Sequence, residues 1–146
     1  MKKILLLAIV TISMISCSKS DSSESSTDKI VGKWVVTSST IQNGATGTSI
    51  NSMDPCAALG NTVFTAATAT TGTASDTNYE ESPITSDCVL MAVDYFTWSN
   101  NGNNAYTITQ DGSTNVLNIT YSNSDRTMLV VFYEGNYISK ATFAKQ

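Results

Sequence analysis

The sequence contains no histidine, and only eight of its 146 residues are lysine or arginine. Without histidine, Ser-His-Asp and Cys-His nucleophilic sites and the histidine-containing zinc sites cannot be built. Twelve acidic residues outnumber the eight bases, which gives a formal net charge of −4. No cluster of basic residues is present to contact a phosphate backbone. We therefore expect no nucleic-acid partner and no histidine-based catalytic site.

The remaining candidates for catalytic or metal-binding chemistry are carboxylates and amides. Glu80 and Glu81 are adjacent in a stretch that is typical of a polar loop, and neighbouring residues of an extended chain point to opposite faces. They are a poor acid/base pair for that reason. The Asn100–Asn104 cluster lacks the spacing of a calcium-binding loop and is typical of a turn. We expect no enzymatic activity, no bound metal and no cofactor.

The sequence also lacks an apolar run long enough to span a membrane as a helix. Residues 4–15 are mostly apolar and follow Lys2 and Lys3, as in a secretory signal peptide, whereas a spanning helix needs about 20 residues. The end of this run and the two residues after it, Met14-Ile15-Ser16-Cys17, resemble the lipobox of bacterial lipoproteins, with Met in place of Leu. This resemblance predicts a signal peptide over residues 1–16 and lipid on Cys17. The alternative is a secreted protein with a chance cysteine near the cleavage site.

Residues 17–28 form a second predicted segment. From Ser18 to Asp28 there is no apolar residue, so burial cannot offset the cost of ordering the chain, and we expect a flexible tether. Its acidic residues resemble the surface-export signals of some Gram-negative lipoproteins, although a plain spacer explains them equally well. We expect the protein at the cell envelope, anchored to a membrane through its lipid. The outer membrane is favoured, with its periplasmic or surface face left open.

The three cysteines are consistent with export. Once Cys17 carries lipid, Cys56 and Cys88 remain, in a compartment that permits disulfides. A bridge between them would contribute about 3 to 4 kcal/mol in the chain-entropy model. The alternative, two free or metal-binding thiols, is weaker because the chain has no histidine and neither cysteine belongs to a Cys-x-x-Cys pair.

Residues 29–146 are long enough for one domain with a core and too short for two ordinary domains. Their C-terminal half alternates polar and apolar residues between tight turns, which is the pattern of β-strands with one buried face. The expected strands are 95–99, 105–109, 116–121, 127–133 and 137–143. The fold class is therefore all-β: one antiparallel meander closed as a β-barrel, with a sandwich as the alternative.

The N-terminal half of this domain has weaker signals. Residues 31–38 predict one strand and Asn61–Thr65 predicts another, whereas Pro55–Gly60 favours a short helical turn. The tract from Ala66 to Thr77 is rich in threonine and alanine. It is compatible with either a weak strand pair or a mobile loop.

An ordered set of motifs resembles the small lipocalin-like domains of Gram-negative lipoproteins. It consists of Gly32-Lys33-Trp34, Asp54-Pro55-Cys56, Val63-Phe64-Thr65, Cys88 and the hairpin from Trp98 to Tyr106. The resemblance implies a lipocalin-like barrel in which Trp34 packs across one end beneath a cation. Lipocalins supply an arginine from the last strand at that position. Here the last strand offers only Lys140 and Lys145, and either could make the cation contact.

Aromatic residues on the predicted strands are candidates for lining a ligand cavity; we name Trp34, Phe64, Trp98, Tyr106 and Tyr121. The favoured function is a lipid-anchored binding module that holds a small apolar ligand or contacts another envelope component. The alternative is a structural or interaction lipoprotein with a solid barrel, whose threonine-rich loops bind a protein or glycan partner.

Overall fold

The computed structural model describes residues 27–146 of the chain. The predicted signal peptide, the lipidation site Cys17 and the tether as far as residue 26 lie outside the described residues. Within the described range no helix is long and apolar enough to cross a membrane. The same range contains one 3-10 turn, Ala57–Leu59, and nine strands: β1 (Gly32–Asn43), β2 (Ser49–Asn51), β3 (Asn61–Ala66), β4 (Thr71–Glu81), β5 (Cys88–Asn100), β6 (Ala105–Gln110), β7 (Ser113–Ser122), β8 (Thr127–Glu134) and β9 (Tyr137–Lys145).

The strands form a single closed sheet. From β3 to β9 each strand pairs antiparallel with the next. Strand β1 pairs with β3 on one side and with β9 on the other, which closes an eight-stranded barrel. Strand β2 is a three-residue addition to β1. The predicted antiparallel meander closed as a barrel is confirmed, and the sandwich alternative is wrong, because the pairing of β1 with β9 leaves no second sheet.

The C-terminal strands form where their alternation predicts them. In β7 the side chains of Leu117, Ile119 and Tyr121 are partly or fully buried, while Asn118 and Thr120 between them are exposed. The preceding turn has positive φ at both central residues, Asp111 (49°) and Gly112 (79°). This is the type I′ geometry whose twist matches that of paired strands. Local sequence therefore determines this hairpin.

The threonine- and alanine-rich tract is not a mobile loop: its first residue, Ala66, ends β3, and after a short turn residues 71–77 belong to β4, which pairs with β3. Its inward positions carry very small residues because their partners are large: Gly72 is in register with Trp98, and Ala74 with Phe96. A Cβ atom on Gly72 would lie only 2.6 Å from the Trp98 indole nitrogen. The weak hydrophobic signal of β4 thus reflects space that the β5 aromatics fill.

Two further local predictions have different outcomes. Glu80 and Glu81 belong to the end of β4, so the polar loop expected there is wrong, although both side chains are exposed as expected. The extended pairing of β4 with β5 reaches Glu81 opposite Cys88 and includes both glutamates. The helical turn predicted before Gly60 is confirmed at Ala57–Leu59.

The predicted disulfide is confirmed: Cys56 and Cys88 are bonded, with their Cα atoms 5.5 Å apart. Cys56 immediately precedes the 3-10 turn, and Cys88 begins β5. The turn also packs against β1 and β4. The bridge therefore holds the segment between β2 and β3 against the barrel wall.

Candidate functional site

The two ends of the barrel interior differ. Alternate turns of an antiparallel meander lie at opposite ends, so the β3–β4, β5–β6 and β7–β8 turns share one end with Thr27 and Gln146. We call this the closed end. Backbone hydrogen bonds join its parts, from Asn100 to Thr70, from Ile119 to Asn104 and from Lys145 to Arg126. We call the other end, with the β4–β5, β6–β7 and β8–β9 turns, the open end.

Trp34 occupies the centre of the closed end and is fully buried. Its indole nitrogen donates a 2.7 Å hydrogen bond to the carbonyl oxygen of Ile30, which is also fully buried. The Lys145 ammonium lies 5.1 Å from the centroid of the Trp34 ring. The expected contact between a cation and this tryptophan is confirmed, with Lys145 rather than Lys140 in the role.

Asp28 joins the N-terminal segment to the closed end. Its Oδ1 accepts a 2.7 Å hydrogen bond from the Tyr106 hydroxyl and a 3.0 Å bond from the Ile30 backbone. Its other oxygen accepts a bond from the Asn100 amide. Asp28, the last residue of the predicted tether, is thus bound to two barrel residues and orients the chain where it leaves the domain.

Two tyrosines near Asp28, Tyr106 and Tyr121, keep their protons to a higher pH than an exposed tyrosine does. Burial raises the pKa of Tyr106, and the hydrogen bond to Asp28 raises it further, since both favour the neutral phenol. Burial raises the pKa of Tyr121 as well. Among the described residues the Tyr121 hydroxyl has no hydrogen-bond partner of ordinary geometry. The closed end is therefore a packed aromatic plug with one unpaired phenol.

Four of the five aromatic residues named as candidate ligand contacts belong to this plug. Trp34, Trp98, Tyr106 and Tyr121 form a chain of contacts with ring centroids 6.2 to 6.5 Å apart. Phe64 is separate: its ring packs edge-on against Phe96 at 5.7 Å, nearer the middle of the barrel. The structure therefore groups most of the named aromatics with one another, where they fill the core, although Trp34 also lines a pocket in the barrel wall.

The middle of the barrel contains a partly open cavity of about 170 Å³, which we call the central cavity. Phe64 is the one named aromatic on its wall. The other apolar lining residues are Phe96, Ile108, Leu117, Ile119, Met128, Val130, Phe132 and Phe143. None of these residues is among the five aromatics named above, although their inward parity on adjacent strands carries the signal.

A second cavity of about 470 Å³, the lateral pocket, opens beside the first. It lies where β1 leaves β3, since those two strands pair only through Gly32–Trp34. The segment carrying the 3-10 turn covers the gap and contributes Asp54, Ala57 and Gly60 to the pocket lining. Because the disulfide holds that segment, it also holds one wall of the lateral pocket.

Thr62, Asp76 and Phe143 line both cavities and form their shared wall. The Thr62 hydroxyl donates a 2.6 Å hydrogen bond to Asp76 Oδ1. Acidic residues also line the lateral pocket, at Asp54 and Glu80, and no lysine or arginine of residues 27–146 lines either cavity. The site is thus an apolar cavity that shares a wall with an acidic pocket.

Metal binding finds no support in this geometry. Within residues 27–146 no three cysteine or carboxylate side chains are grouped so that they could hold a metal ion. The arrangement is suited to enclosing part of a small molecule through apolar contact.

Comparison with known proteins identifies a family over most of the chain. A family model described as a lipocalin-like domain matches residues 30–140. No curated protein matches the chain. Among solved structures, a redesigned β-barrel is 11% identical in sequence, with a TM-score of 0.45, and the match covers 81% of this chain and 92% of that one.

Proposed function

Because this chain belongs to the lipocalin-like domain family, we propose that it is a binding protein that holds a small apolar molecule in its barrel at the cell envelope. The observation that carries the proposal is the central cavity, whose wall is apolar apart from Thr62 and Asp76. Burial of apolar ligand surface against that wall would drive binding. The role is binding rather than catalysis.

The size of the central cavity limits what it accepts. Its volume of about 170 Å³ is below the roughly 300 to 1,000 Å³ that is usual for drug-sized ligands. It is comparable to the engineered cavity of about 150 Å³ that binds benzene in another protein. We therefore propose a ligand, or a ligand moiety, of about one ring or a short branched alkyl group.

Filling the cavity tests the proposal. Leu117 faces the cavity, and its neighbour Val116 on β7 is 60% exposed on the outside of the barrel. Leu117→Trp should abolish retention of a small molecule by the protein, and Val116→Trp should leave retention unchanged. Native mass spectrometry of protein purified without detergent measures both. A wild-type barrel that is empty, and that binds no benzene-sized probe, would exclude the proposal.

We also propose that lipid on Cys17 anchors the protein. The support is the lipobox-like sequence together with the position of Thr27 and Asp28 at the closed end, away from Glu80 and Met91, which line the lateral pocket. A tether attached there leaves the pocket accessible. Cys17→Ala should move the protein from the detergent phase to the aqueous phase in a two-phase partition. Cys56→Ala, which removes a different cysteine, should not.

A second candidate function is binding of a neutral glycan on the outer face of the barrel. Five threonines form a cross-strand row from β3 to β7, with each in register with the next: Thr65, Thr73, Thr97, Thr109 and Thr114. They lie on strands, so the threonine-rich loops expected for a partner are mostly sheet. No charged residue belongs to this row, and Tyr95 beside it is 72% exposed. An exposed aromatic ring among hydroxyls suits an uncharged sugar surface.

Two tyrosines of nearly equal exposure test the glycan alternative. Tyr95 is 72% exposed beside the threonine row, and Tyr133 is 73% exposed on β8. Tyr95→Ala should abolish cosedimentation with insoluble neutral polysaccharides, whereas Tyr133→Ala should retain it. If wild-type protein does not sediment with any of them, this second candidate is excluded.

A further inference from the structure

We infer that the central cavity selects a cation with an apolar body, such as an amine that carries a single ring. The inference rests on the proposed function, because it takes the central cavity as the ligand site and adds the charge of the ligand. Three features of the cavity wall and its surroundings support it: one incompletely bonded carboxylate, a second carboxylate opposite it, and a lining to which no lysine or arginine of residues 27–146 contributes.

The carboxylate on the shared wall is Asp76. One of its oxygens accepts the hydrogen bond from Thr62, whose side chain is itself only 9% exposed. Among the described residues the other oxygen accepts no hydrogen bond. Asp76 therefore presents an unused hydrogen-bond acceptor on the wall between the central cavity and the lateral pocket. A charged donor would make a shorter and stronger bond with such an oxygen than a neutral donor would.

The neighbouring charges make an anion unfavourable here. Asp94 on β5 is the register partner of Asp76, and like charges placed directly opposite each other on paired strands are destabilising. Asp94 has the same parity along β5 as Ala92, which lines the lateral pocket, and Phe96, which lines the central cavity. A bound cation would relieve the repulsion between these carboxylates, whereas a ligand carboxylate would add to it.

Among residues 27–146 no lysine or arginine lines either cavity, so none of them is in position to relieve this repulsion. The one ion pair among residues 27–146 joins Lys29 to Asp125. Lys145 lies over Trp34 and donates to the Lys29 carbonyl oxygen at 3.1 Å, at the closed end. Asp54 and Glu80 extend the acidic lining through the lateral pocket. The lateral pocket beside the central cavity is therefore acidic, which favours a cation and disfavours fatty acids.

Three probes that share one ring separate charge from apolar contact: benzylamine, benzyl alcohol and benzoate. Each is titrated at pH 7 by isothermal calorimetry into the full-length chain in nanodiscs of zwitterionic lipid, with empty nanodiscs as the blank. We expect benzylamine to bind at least about tenfold more tightly than benzyl alcohol. We expect benzoate to bind most weakly of the three.

Variants assign the selectivity to its residue. Asp76→Asn keeps an oxygen for Thr62 but removes the charge, so it should bring benzylamine to about the affinity of benzyl alcohol. Asp111→Asn, which removes an exposed carboxylate at the β6–β7 turn, should leave the wild-type ratio intact. The wild-type ratio alone decides the question if Asp76→Asn does not fold.

The outcomes distinguish the failure of this inference about charge from the failure of the proposed binding function. If benzyl alcohol or benzoate binds wild-type protein as tightly as benzylamine, the charge selectivity is overturned while the apolar cavity remains a binding site. An unchanged preference for benzylamine in folded Asp76→Asn would likewise overturn the role of that carboxylate. If none of the probes binds, the proposed function falls together with the inference.

Discussion

The closed end and the middle of this barrel are built from the same strands, but the closed end is densely packed and the middle contains a cavity. At the closed end Trp34, Trp98 and Tyr106 are almost completely buried and contact one another. In the middle, smaller aliphatic side chains and phenylalanines leave the central cavity, and the wall beside it has the lateral pocket. Large aromatics fill space and small residues leave it. The difference indicates that the closed end stabilises the fold, whereas the middle leaves space for the proposed ligand.

The largest expected effect is the loss of the central tryptophan of the closed end. Trp34→Ala should lower the free energy of unfolding by about 3 to 5 kcal/mol, because it removes buried apolar contact and leaves a cavity. Unfolding in urea measures the change. Tyr133→Ala, at a 73% exposed position on β8, should change stability by less than about 0.5 kcal/mol. A loss for Trp34→Ala as small as that of the control would mean that the closed end is not the stabilising region.

The next effect concerns the wall of the lateral pocket. Replacing Cys56 and Cys88 together by serine should cost about 3 to 4 kcal/mol in the chain-entropy model, since the bridge spans 32 residues. The near-ultraviolet circular dichroism of the closed-end aromatics should persist in the folded variant, because the ring contacts there join only Trp34, Trp98, Tyr106 and Tyr121. Loss of that signal while the variant remains folded would show that the two regions are coupled.

A third prediction uses the buried phenols of the closed end. In the unfolded chain a tyrosine loses its proton near pH 10, whereas burial raises the pKa of Tyr106 and Tyr121 in the folded protein. Above about pH 10 the folded state therefore binds more protons than the unfolded state. Stability should be complete below that pH and fall as the pH rises toward the folded-state pKa values. The slope is at most about 1.4 kcal/mol per pH unit for each tyrosine.

Urea unfolding between pH 8 and 11.5 measures this slope. Tyr106→Phe combined with Tyr121→Phe should flatten it, since phenylalanine does not titrate. A double variant that loses stability with pH as steeply as the wild type would contradict the assignment to these two phenols.

The smallest expected effect is that of the cation over Trp34. Lys145→Met should lower stability by about 0.5 to 1 kcal/mol, because it removes the contact between the ammonium and the indole ring. Lys140→Met, at an exposed position on the same strand, should have almost no effect. Thermal unfolding resolves the two variants. Equal melting temperatures for both would remove Lys145 from the description of the closed end.

Parts of the fold were predictable because they depend on neighbours in sequence. The hairpin of β6 and β7 follows from the alternation of Leu117 and Ile119 and from the Asp111-Gly112 turn. Strand β4 was not predictable in the same way. Gly72 and Ala74 carry almost no hydrophobic signal, and their place in the sheet depends on Trp98 and Phe96, more than twenty residues further along the chain.

The candidate site was likewise only partly predictable from the sequence. Phe64 was predicted as a ligand contact and does line the central cavity, whereas Trp98 and Tyr106 pack into the plug. An aromatic residue on a strand looks the same in sequence whether it lines a cavity or fills a core. The choice depends on which rings face each other after the barrel closes.

The sequence by itself determined the absence of histidine chemistry, the pairing available to Cys56 and Cys88, and the all-β meander with its turns. Each depends on composition or on residues close together in the chain. Only the tertiary structure decided that β1 and β9 close the barrel, that Lys145 covers Trp34, and that Asp76 lies on the wall shared by the central cavity and the lateral pocket. These relations join residues from distant strands, and the closure of the sheet brings them together.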